Sequence, residues 1–253
     1  MKIGIIGVGI VGGALSQWMK INTSHQIAEW DPYKGLNDDL HNTDAIFICI
    51  PVKPGPEGQQ QKELESTVKF AKGYCQSVFI RSTVLPGTND RLGTIACPEF
   101  LTARIAHDEM NRLPILVGTC VEGFIKEIFP NKKITMVKNK EAELAKFAHN
   151  CFGALKVSYF NMIDDMCCDL EIDYENVKKG FLLSGFINEP HTLVPGPDGE
   201  VGYGGFCFPE NMEAMLNWTS PDREDDNEKS FSSFVLHEIL EKASDFNKSI
   251  RNY

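Results

Sequence analysis

KIGIIGVGIVGGALSQWMK, from Lys2 to Lys20, is the stretch that decides the fold. A short apolar strand leads directly into three glycines with the spacing Gly7-x-Gly9-x-x-Gly12. Apolar residues then recur at helical spacing, at Ala14, Leu15, Trp18 and Met19. Because glycine permits positive φ and close backbone approach, this stretch predicts a strand, a tight turn and a helix packed closely on the strand.

A second strand, IAEWD, ends in the acid Asp31, about twenty residues beyond the glycines. In a dinucleotide-binding turn, Gly7 permits the tight turn, Gly9 admits the pyrophosphate, Gly12 allows close packing and Asp31 holds the ribose hydroxyls. The N–H groups of Ile10, Val11 and Gly12 open the helix and can bind the phosphates. An acid repels a 2′-phosphate, so we predict NAD rather than NADP. The alternative is an ordinary α/β turn with fortuitous spacing.

Strands and helices alternate after this turn. Strand patterns occur at 44–50, 77–81, 94–97, 114–118 and 134–137, with helical patterns at 60–72 and 121–129. This alternation predicts an α/β fold with a parallel sheet covered on both faces, a Rossmann-like NAD-binding domain over residues 1–138. The interval between Asp31 and the next strand is short, so that half of the sheet is expected to lack an element.

The pattern changes at Glu141, where one long helix is predicted over 141–170. Its apolar face is formed by Leu144, Phe147, Cys151, Leu155, Tyr159, Ile163, Met166 and Leu170. A polar loop at 219–230 and an amphipathic helix at 231–246 follow, which predicts an all-α domain over 139–253. The long helix is the predicted interface of a homodimer, or alternatively the spine of its own domain.

The composition excludes several classes of function. The net charge is −10, and no dense stripe of Lys and Arg is present, so nucleic acid is not an expected partner. The apolar N-terminal run is too short to span a membrane, so we expect a cytoplasmic protein. Eight cysteines and six histidines are scattered without the spacing of metal ligands, so we predict no metal.

Four segments in order carry a resemblance to a known family: RSTVLPGT (81–88), PEFL (98–101), AELAKFAHN (142–150) and GYGGFCFPEN (202–211). Together they resemble the motifs of the UDP-glucose/GDP-mannose dehydrogenases. The resemblance implies oxidation of a sugar C6 alcohol to a carboxylate by two NAD. In that chemistry a cysteine adds to the intermediate aldehyde, becomes a thioester after the second hydride transfer, and is released by water.

Carried over residue by residue, the resemblance assigns Cys207 as the nucleophile. Lys146 and Asn150, four positions apart on one helix face, match the pair that holds an oxyanion. Thr83 matches a residue that positions water and the nicotinamide, and Glu99 matches a carboxylate with an acid–base role in thioester hydrolysis. The implied substrate-binding residues are Phe100, Leu101, Tyr203, Gly204 and Gly205. Each also has a structural interpretation: a surface lysine, a packing amide, a strand threonine, a solvated acid or a buried cysteine.

Several positions depart from the family pattern. Asn211 replaces an aspartate four residues after the cysteine, and an amide cannot act as a general base. Glu210 replaces a lysine, and Ala103 and Arg104 replace the second glutamate and its glycine. The family's arginine has only a weak counterpart at His191. Family members also continue into a second α/β domain that grips the nucleotide, and we expect this short form to lack it.

Three hypotheses follow for the function. The first is an NAD-dependent dehydrogenase acting on a nucleotide sugar or a smaller polyol. The second is an enzyme that stops early because Asn211 cannot drive the second half of the reaction, and the third is a non-catalytic NAD-binding or assembly protein. A β-hydroxyacid-dehydrogenase-like enzyme, which needs no cysteine, is a more distant alternative.

Overall fold

The computed structural model describes residues 1–52, 59–221 and 230–251. The chain divides into two compact units, Met1–Lys146 (unit 1) and Phe147–Tyr253 (unit 2). The division lies inside the long helix, later than the predicted domain boundary after residue 138. The first turns of that helix belong to unit 1 because the Glu143 carboxylate accepts hydrogen bonds from the backbone of Gly87 and Asn89. Most of the predicted polar loop at 219–230 lies outside the described residues.

A six-stranded sheet forms the centre of unit 1. Its strands are β1 (Lys2–Ile6), β2 (Gln26–Asp31), β3 (Leu36–Asn37), β4 (Ala45–Ile48), β5 (Val78–Ile80) and β6 (Ile95–Ala96). Their order is β3-β2-β1-β4-β5-β6, and all neighbours are parallel except β3, which pairs antiparallel with β2. Only a 3-10 turn at Pro32–Lys34 and β3 stand between β2 and β4, so the crossover helix is absent from that fully described interval.

Five helices and a second, small sheet complete the described part of unit 1. The helices are α1 (Ile10–Asn22), α2 (Gln59–Lys72), α3 (Thr88–Leu92), α4 (Ala106–Arg112) and α5 (Glu122–Ile128). The strands β7 (Ile115–Val117) and β8 (Ile134–Met136) pair with each other in parallel. The predicted strands at 114–118 and 134–137 therefore form a separate two-stranded sheet.

The large sheet is covered on both faces, as predicted. Successive side chains of a strand point to opposite faces, so Phe47 of β4 faces α1, α4 and α5, while Ile46 faces α2. The rings of Phe47 and Phe79 stack with centroids 4.8 Å apart in the first of these layers. The fold is thus the predicted α/β arrangement, and the carboxyl ends of five parallel strands meet at one edge.

Unit 2 is helical in its described part. The long helix α6 (Asn139–Asp169) runs into it from unit 1 and is followed by α7 (Tyr174–Leu182), α8 (Cys207–Thr219) and α9 (Phe231–Ile250). The apolar face predicted for α6 is divided: Phe147 and Cys151 are buried, whereas Tyr159 and Met166 are exposed. The predicted face is therefore only partly covered within a single chain. Among the described helices, none is both long and apolar enough to cross a membrane.

Candidate active site

The glycine turn of unit 1 has the geometry that each glycine predicts. Gly7 has a φ of +84°, which side chains rarely adopt, and a Cβ on Gly12 would lie 1.9 Å from the carbonyl oxygen of Gly7. A Cβ on Gly9, by contrast, would meet nothing within 4 Å. Gly9 precedes the first turn of α1, whose N–H groups have no partner within the helix. The turn therefore combines tight packing with an open space next to free donors, which fits the pyrophosphate of a dinucleotide.

Asp31 lies beside this turn at the carboxyl end of β2. Its Oδ2 accepts a hydrogen bond of 2.9 Å from the N–H of Val8, and the ammonium of Lys34 donates to the carbonyl oxygen of Val8 at 2.6 Å. The acid is thus hydrogen-bonded to the residue that follows Gly7, at the carboxyl edge of the sheet. Nucleotides bind at this edge in open α/β sheets. A carboxylate held there suits the hydroxyls of an adenosine ribose and repels a 2′-phosphate.

A buried ion pair forms a second group at the same edge of the sheet. The Nζ of Lys146 lies 3.2 Å from Oε1 of Glu99, and their side chains are only 4% and 9% exposed. Glu99 follows β6, and its other oxygen accepts a hydrogen bond from the N–H of Leu101. The ring of Phe100 lies under the ammonium, 5.4 Å from its centroid. The pair thus places a lysine and a carboxylate together in the interior of unit 1.

Thr83 belongs to the same group. It follows β5 and lines a cavity of about 10 Å³, the size of one water molecule, together with Lys146 and Glu143. Unit 1 therefore brings together the predicted residues Thr83, Glu99, Phe100 and Lys146. Leu101 packs against the core cluster beneath α1.

Glu143 is a residue that the sequence analysis did not single out. Its buried carboxylate accepts from the N–H of Gly87 at 2.6 Å and from the N–H and Nδ2 of Asn89, both at 2.8 Å. It thereby fixes the segment that follows Thr83. Its place in the AEL motif, three positions before Lys146, was the available signal.

Asn150, the first site residue of unit 2, is buried on α6 with a donor that lacks a partner among the described residues. Its Oδ1 lies 3.0 Å from Nδ1 of His149, and its Nδ2 has no hydrogen-bond partner. With the proton on Nδ1 of His149, the ring donates to Oδ1, and Nδ2 of Asn150 stays available as a donor. An unpaired buried donor is costly, which is the property expected of a group that binds an oxyanion.

Cys207 is exposed and begins α8. Burial raises the pKa of Cys49 and of Cys151 to about 12, which supports their interpretation as packing residues. Asn211, one turn after Cys207, donates from Nδ2 to the carbonyl oxygen of Cys207 at 2.8 Å, and its buried Oδ1 has no partner among the described residues. Cys207 and Cys168 are the exposed cysteines of the chain.

The glycine-rich loop before Cys207 does not leave all of the space that was predicted for substrate. A Cβ on Gly204 would lie 2.2 Å from the guanidinium of Arg251, so a side chain of the same unit fills the space predicted for substrate. Tyr203 is buried, with its backbone bonded to Asn247. Gly205 has a φ of +73° and open space at its Cβ position. Of the three predicted substrate-binding residues in this loop, Gly205 has the clear opening.

His191 does not replace the family's arginine electrostatically. Burial lowers the pKa of its imidazole, and the positive charges of Lys156 and His149 lower it further. The ring packs edge-on against Phe208, with centroids 5.3 Å apart. The imidazole therefore does not supply the permanent positive charge of an arginine. Among the described residues, no cluster of three His, Cys, Asp or Glu side chains could hold a metal ion.

Comparisons with known proteins agree with the four motifs. Residues 140–228 match the central domain of the UDP-glucose/GDP-mannose dehydrogenase family. A putative UDP-glucose 6-dehydrogenase of Bacillus subtilis is 25% identical over 71% of this chain and 47% of its own length. A UDP-glucose 6-dehydrogenase of Pseudomonas aeruginosa is 27% identical over 72% of this chain and 46% of its own length. The chain thus spans about half the length of the curated relatives it matches.

Solved structures show the same fold. The UDP-glucose dehydrogenase of Pyrobaculum islandicum superposes with a TM-score of 0.77 and 20% identity, covering 98% of this chain and 68% of that one. The GDP-mannose dehydrogenase of Pseudomonas aeruginosa, solved as a ternary complex, gives 0.64 and 20%, covering 99% and 69%. The resemblance is confirmed, and NAD, the predicted cofactor, is the cofactor of that family.

Proposed function

We propose that this chain, a relative of the UDP-glucose/GDP-mannose dehydrogenases, oxidises the C6 alcohol of a nucleotide sugar or a smaller polyol with NAD. The observation that carries the proposal is the buried Lys146–Glu99 ion pair, which lies at the same sheet edge as the open glycine turn. A structural protein needs neither a desolvated lysine nor an unfilled space at Gly9. The cytoplasmic location expected from composition is part of the proposal.

Gly9, Ile10, Val11 and Gly12 would hold the pyrophosphate of the cofactor, and Asp31 its ribose. NAD, when bound, accepts a hydride in each of the two oxidations. Asp31 accepts the hydrogen bond from Val8 at Oδ2, and Oδ1 would accept those of the ribose hydroxyls. Thr83, which follows β5, would orient the nicotinamide side of the site.

Cys207 supplies the nucleophile in this proposal. Its sulfur adds to the C6 aldehyde and gives a thiohemiacetal, whose oxidation leaves a thioester and releases a proton. Water then cleaves the thioester into a carboxylate and the free thiol. Lys146 and Asn150, one turn apart on α6, stabilise the oxygen that carries negative charge, because one supplies an ammonium and the other an unpaired Nδ2.

The last step is the one that this sequence weakens. Asn211 cannot accept a proton from water, and a general base is typically worth about 10²–10⁴-fold in rate. Glu99 is the carboxylate among the assigned catalytic residues, and its Oε1 is paired with Lys146. This observation favours a second candidate, an enzyme that releases aldehyde or hydrolyses its thioester slowly.

A homodimer through α6 is also part of the proposal. Phe152, Tyr159 and Met166 are spaced by seven residues and are each more than half exposed. Apolar side chains spaced by seven residues lie along one side of a helix, where a second helix can pack against them. A second copy of this chain would cover the stripe with the same side chains.

The test is NADH formation by purified protein with NAD and a panel of UDP- and GDP-sugars, for the wild type and Cys207→Ser. Cys168→Ser is the matched control, since it removes the other exposed thiol. We expect two NADH per sugar in the wild type and in the control, and loss of the second NADH in Cys207→Ser.

Other outcomes separate the alternatives. One NADH per sugar in the wild type indicates a reaction that stops at the aldehyde. Full activity in Cys207→Ser contradicts the covalent mechanism and favours a β-hydroxyacid-dehydrogenase-like enzyme. If NAD binds in a fluorescence titration but no sugar gives NADH, the function is reduced to NAD binding.

A further inference from the structure

Three side chains of unit 2 bind the backbone of the glycine-rich loop that precedes Cys207. Asn161 of α6 accepts a hydrogen bond of 2.9 Å from the N–H of Gly202. Asn247, in the last turn of α9, accepts from the N–H of Tyr203 at 2.7 Å and donates to its carbonyl oxygen at 3.1 Å. These two amide side chains are almost completely buried, and each binds the backbone of the loop there.

Arg251, one turn after Asn247, is the third side chain that binds this loop. Its Nη1 donates to the carbonyl oxygens of Val201 and Gly202 at 3.2 and 3.1 Å, and its Nη2 donates to Asp198 at 2.5 Å. The pKa of Asp198 is lowered by its hydrogen bond with this guanidinium. We call Asn161, Asn247 and Arg251 the loop clamp.

The glycines of the loop explain the fit of the clamp. A Cβ on Gly202 would lie 2.4 Å from Oδ1 of Asn247, and one on Gly204 would lie 2.2 Å from Nη2 of Arg251. Gly204 has no positive φ that would itself require glycine. Its lack of a side chain is therefore explained by the approach of Arg251.

We propose that the loop clamp positions Cys207, so that Asn247 and Arg251 are positioning residues for the nucleophile. The loop leads directly into α8, which begins at Cys207. Holding the backbone of 201–204 therefore fixes where the first turn of α8 starts and which way the sulfur points. The assignment of Cys207 as nucleophile rests on the proposed function, but the clamp can be measured without substrate or cofactor.

Arg251→Ala is the main test, read by amide hydrogen exchange in peptides covering 201–206 and by the alkylation rate of Cys207. Removing the hydrogen bonds of the guanidinium to Val201 and Gly202 should speed amide exchange of the loop by about tenfold or more. The alkylation rate of Cys207 in Arg251→Ala should differ from that in the wild type, whereas Cys168 on α6 should react at the wild-type rate. Arg251→Lys keeps a positive charge beside Asp198. Its exchange and alkylation rates should lie between those of the wild type and of Arg251→Ala.

Gly204→Ala provides a coupled test. In the wild type its Cβ should displace the guanidinium and reproduce the effect of Arg251→Ala. In the Arg251→Ala background it should add nothing, because the space is then empty. Gly180→Ala, in α7 where a Cβ meets nothing within 4 Å, is the control and should leave the loop unchanged.

The proposal is overturned if folded Arg251→Ala shows wild-type exchange in 201–206 and wild-type alkylation of Cys207. Additive effects of Gly204→Ala and Arg251→Ala would equally contradict the fit. If the wild type forms no NADH but Arg251→Ala alters loop exchange and Cys207 alkylation as expected, the proposed function is wrong and the clamp stands.

Discussion

At the scale of single residues, the Lys146–Glu99 pair is the feature with the largest energetic consequence. Both groups are buried, so each is solvated mainly by the other. Pairs of this kind contribute little net stability when intact, but removing one partner leaves an uncompensated charge in the interior. The stability of the fold around Lys146 therefore depends on Glu99.

We expect Glu99→Gln to lower the free energy of unfolding by about 3 kcal/mol, because Lys146 loses its counter-charge. Urea denaturation measures the change. Glu122→Gln breaks the exposed pair with Lys126 and is the matched control, for which we expect no measurable change. In the double variant Glu99→Gln with Lys146→Met, much of the lost stability should return. Equal destabilisation by the two Glu→Gln variants would contradict the importance of burial.

At the scale of elements, the turn between β1 and α1 contains two glycines with different roles. Gly12 is needed for packing, and Gly9 is the position proposed to approach the cofactor. Gly12 is in contact with the backbone of Gly7, whereas Gly9 faces open space. The same substitution at the two positions should therefore have different effects. Only the position facing open space should report on the cofactor.

We expect Gly9→Ala to fold normally and to lose NAD binding, because its Cβ enters the space of the pyrophosphate. Gly12→Ala should instead lower the free energy of unfolding by about 1–3 kcal/mol, since backbone must move to admit the methyl group. Thermal unfolding and titration of NADH fluorescence measure the two effects. Wild-type NADH affinity in Gly9→Ala would show that the dinucleotide does not approach this glycine.

At the scale of the whole molecule, the exposed stripe of α6 makes a prediction about assembly. Phe152, Tyr159 and Met166 extend along about 20 Å of helix, at about 1.5 Å per residue. A stripe of this length on one helix suits a symmetric contact in which two copies bury the same surface.

We expect twice the chain mass of 28.3 kDa for the wild type in sedimentation equilibrium, and a single chain for Phe152→Glu with Tyr159→Glu. Burial of two carboxylates in an apolar contact should prevent association. Leu183→Glu, at a residue that is 88% exposed outside α6, is the control and should remain a dimer. A monomeric wild type at the concentrations used for activity would contradict the proposal.

Much of the fold and part of the site could be predicted from the sequence. The turn at Gly7, Gly9 and Gly12, the acid at Asp31 and the long helix all depend on residues close together in the chain. Spacing and the conformational demands of glycine therefore reveal them directly. The four motifs added candidate roles for Cys207 and Lys146, because ordered patterns identify a family before any contact is known.

Tertiary structure alone decided which side chains meet. Glu99 pairs with Lys146 across 47 positions, and Asn247 reaches Tyr203 across 44. No local pattern encodes such partners, because they depend on how distant elements pack. The sequence motifs predicted substrate at Gly204, whereas the fold brings Arg251 into that space, because a position without a side chain can be filled by any group that packing brings to it.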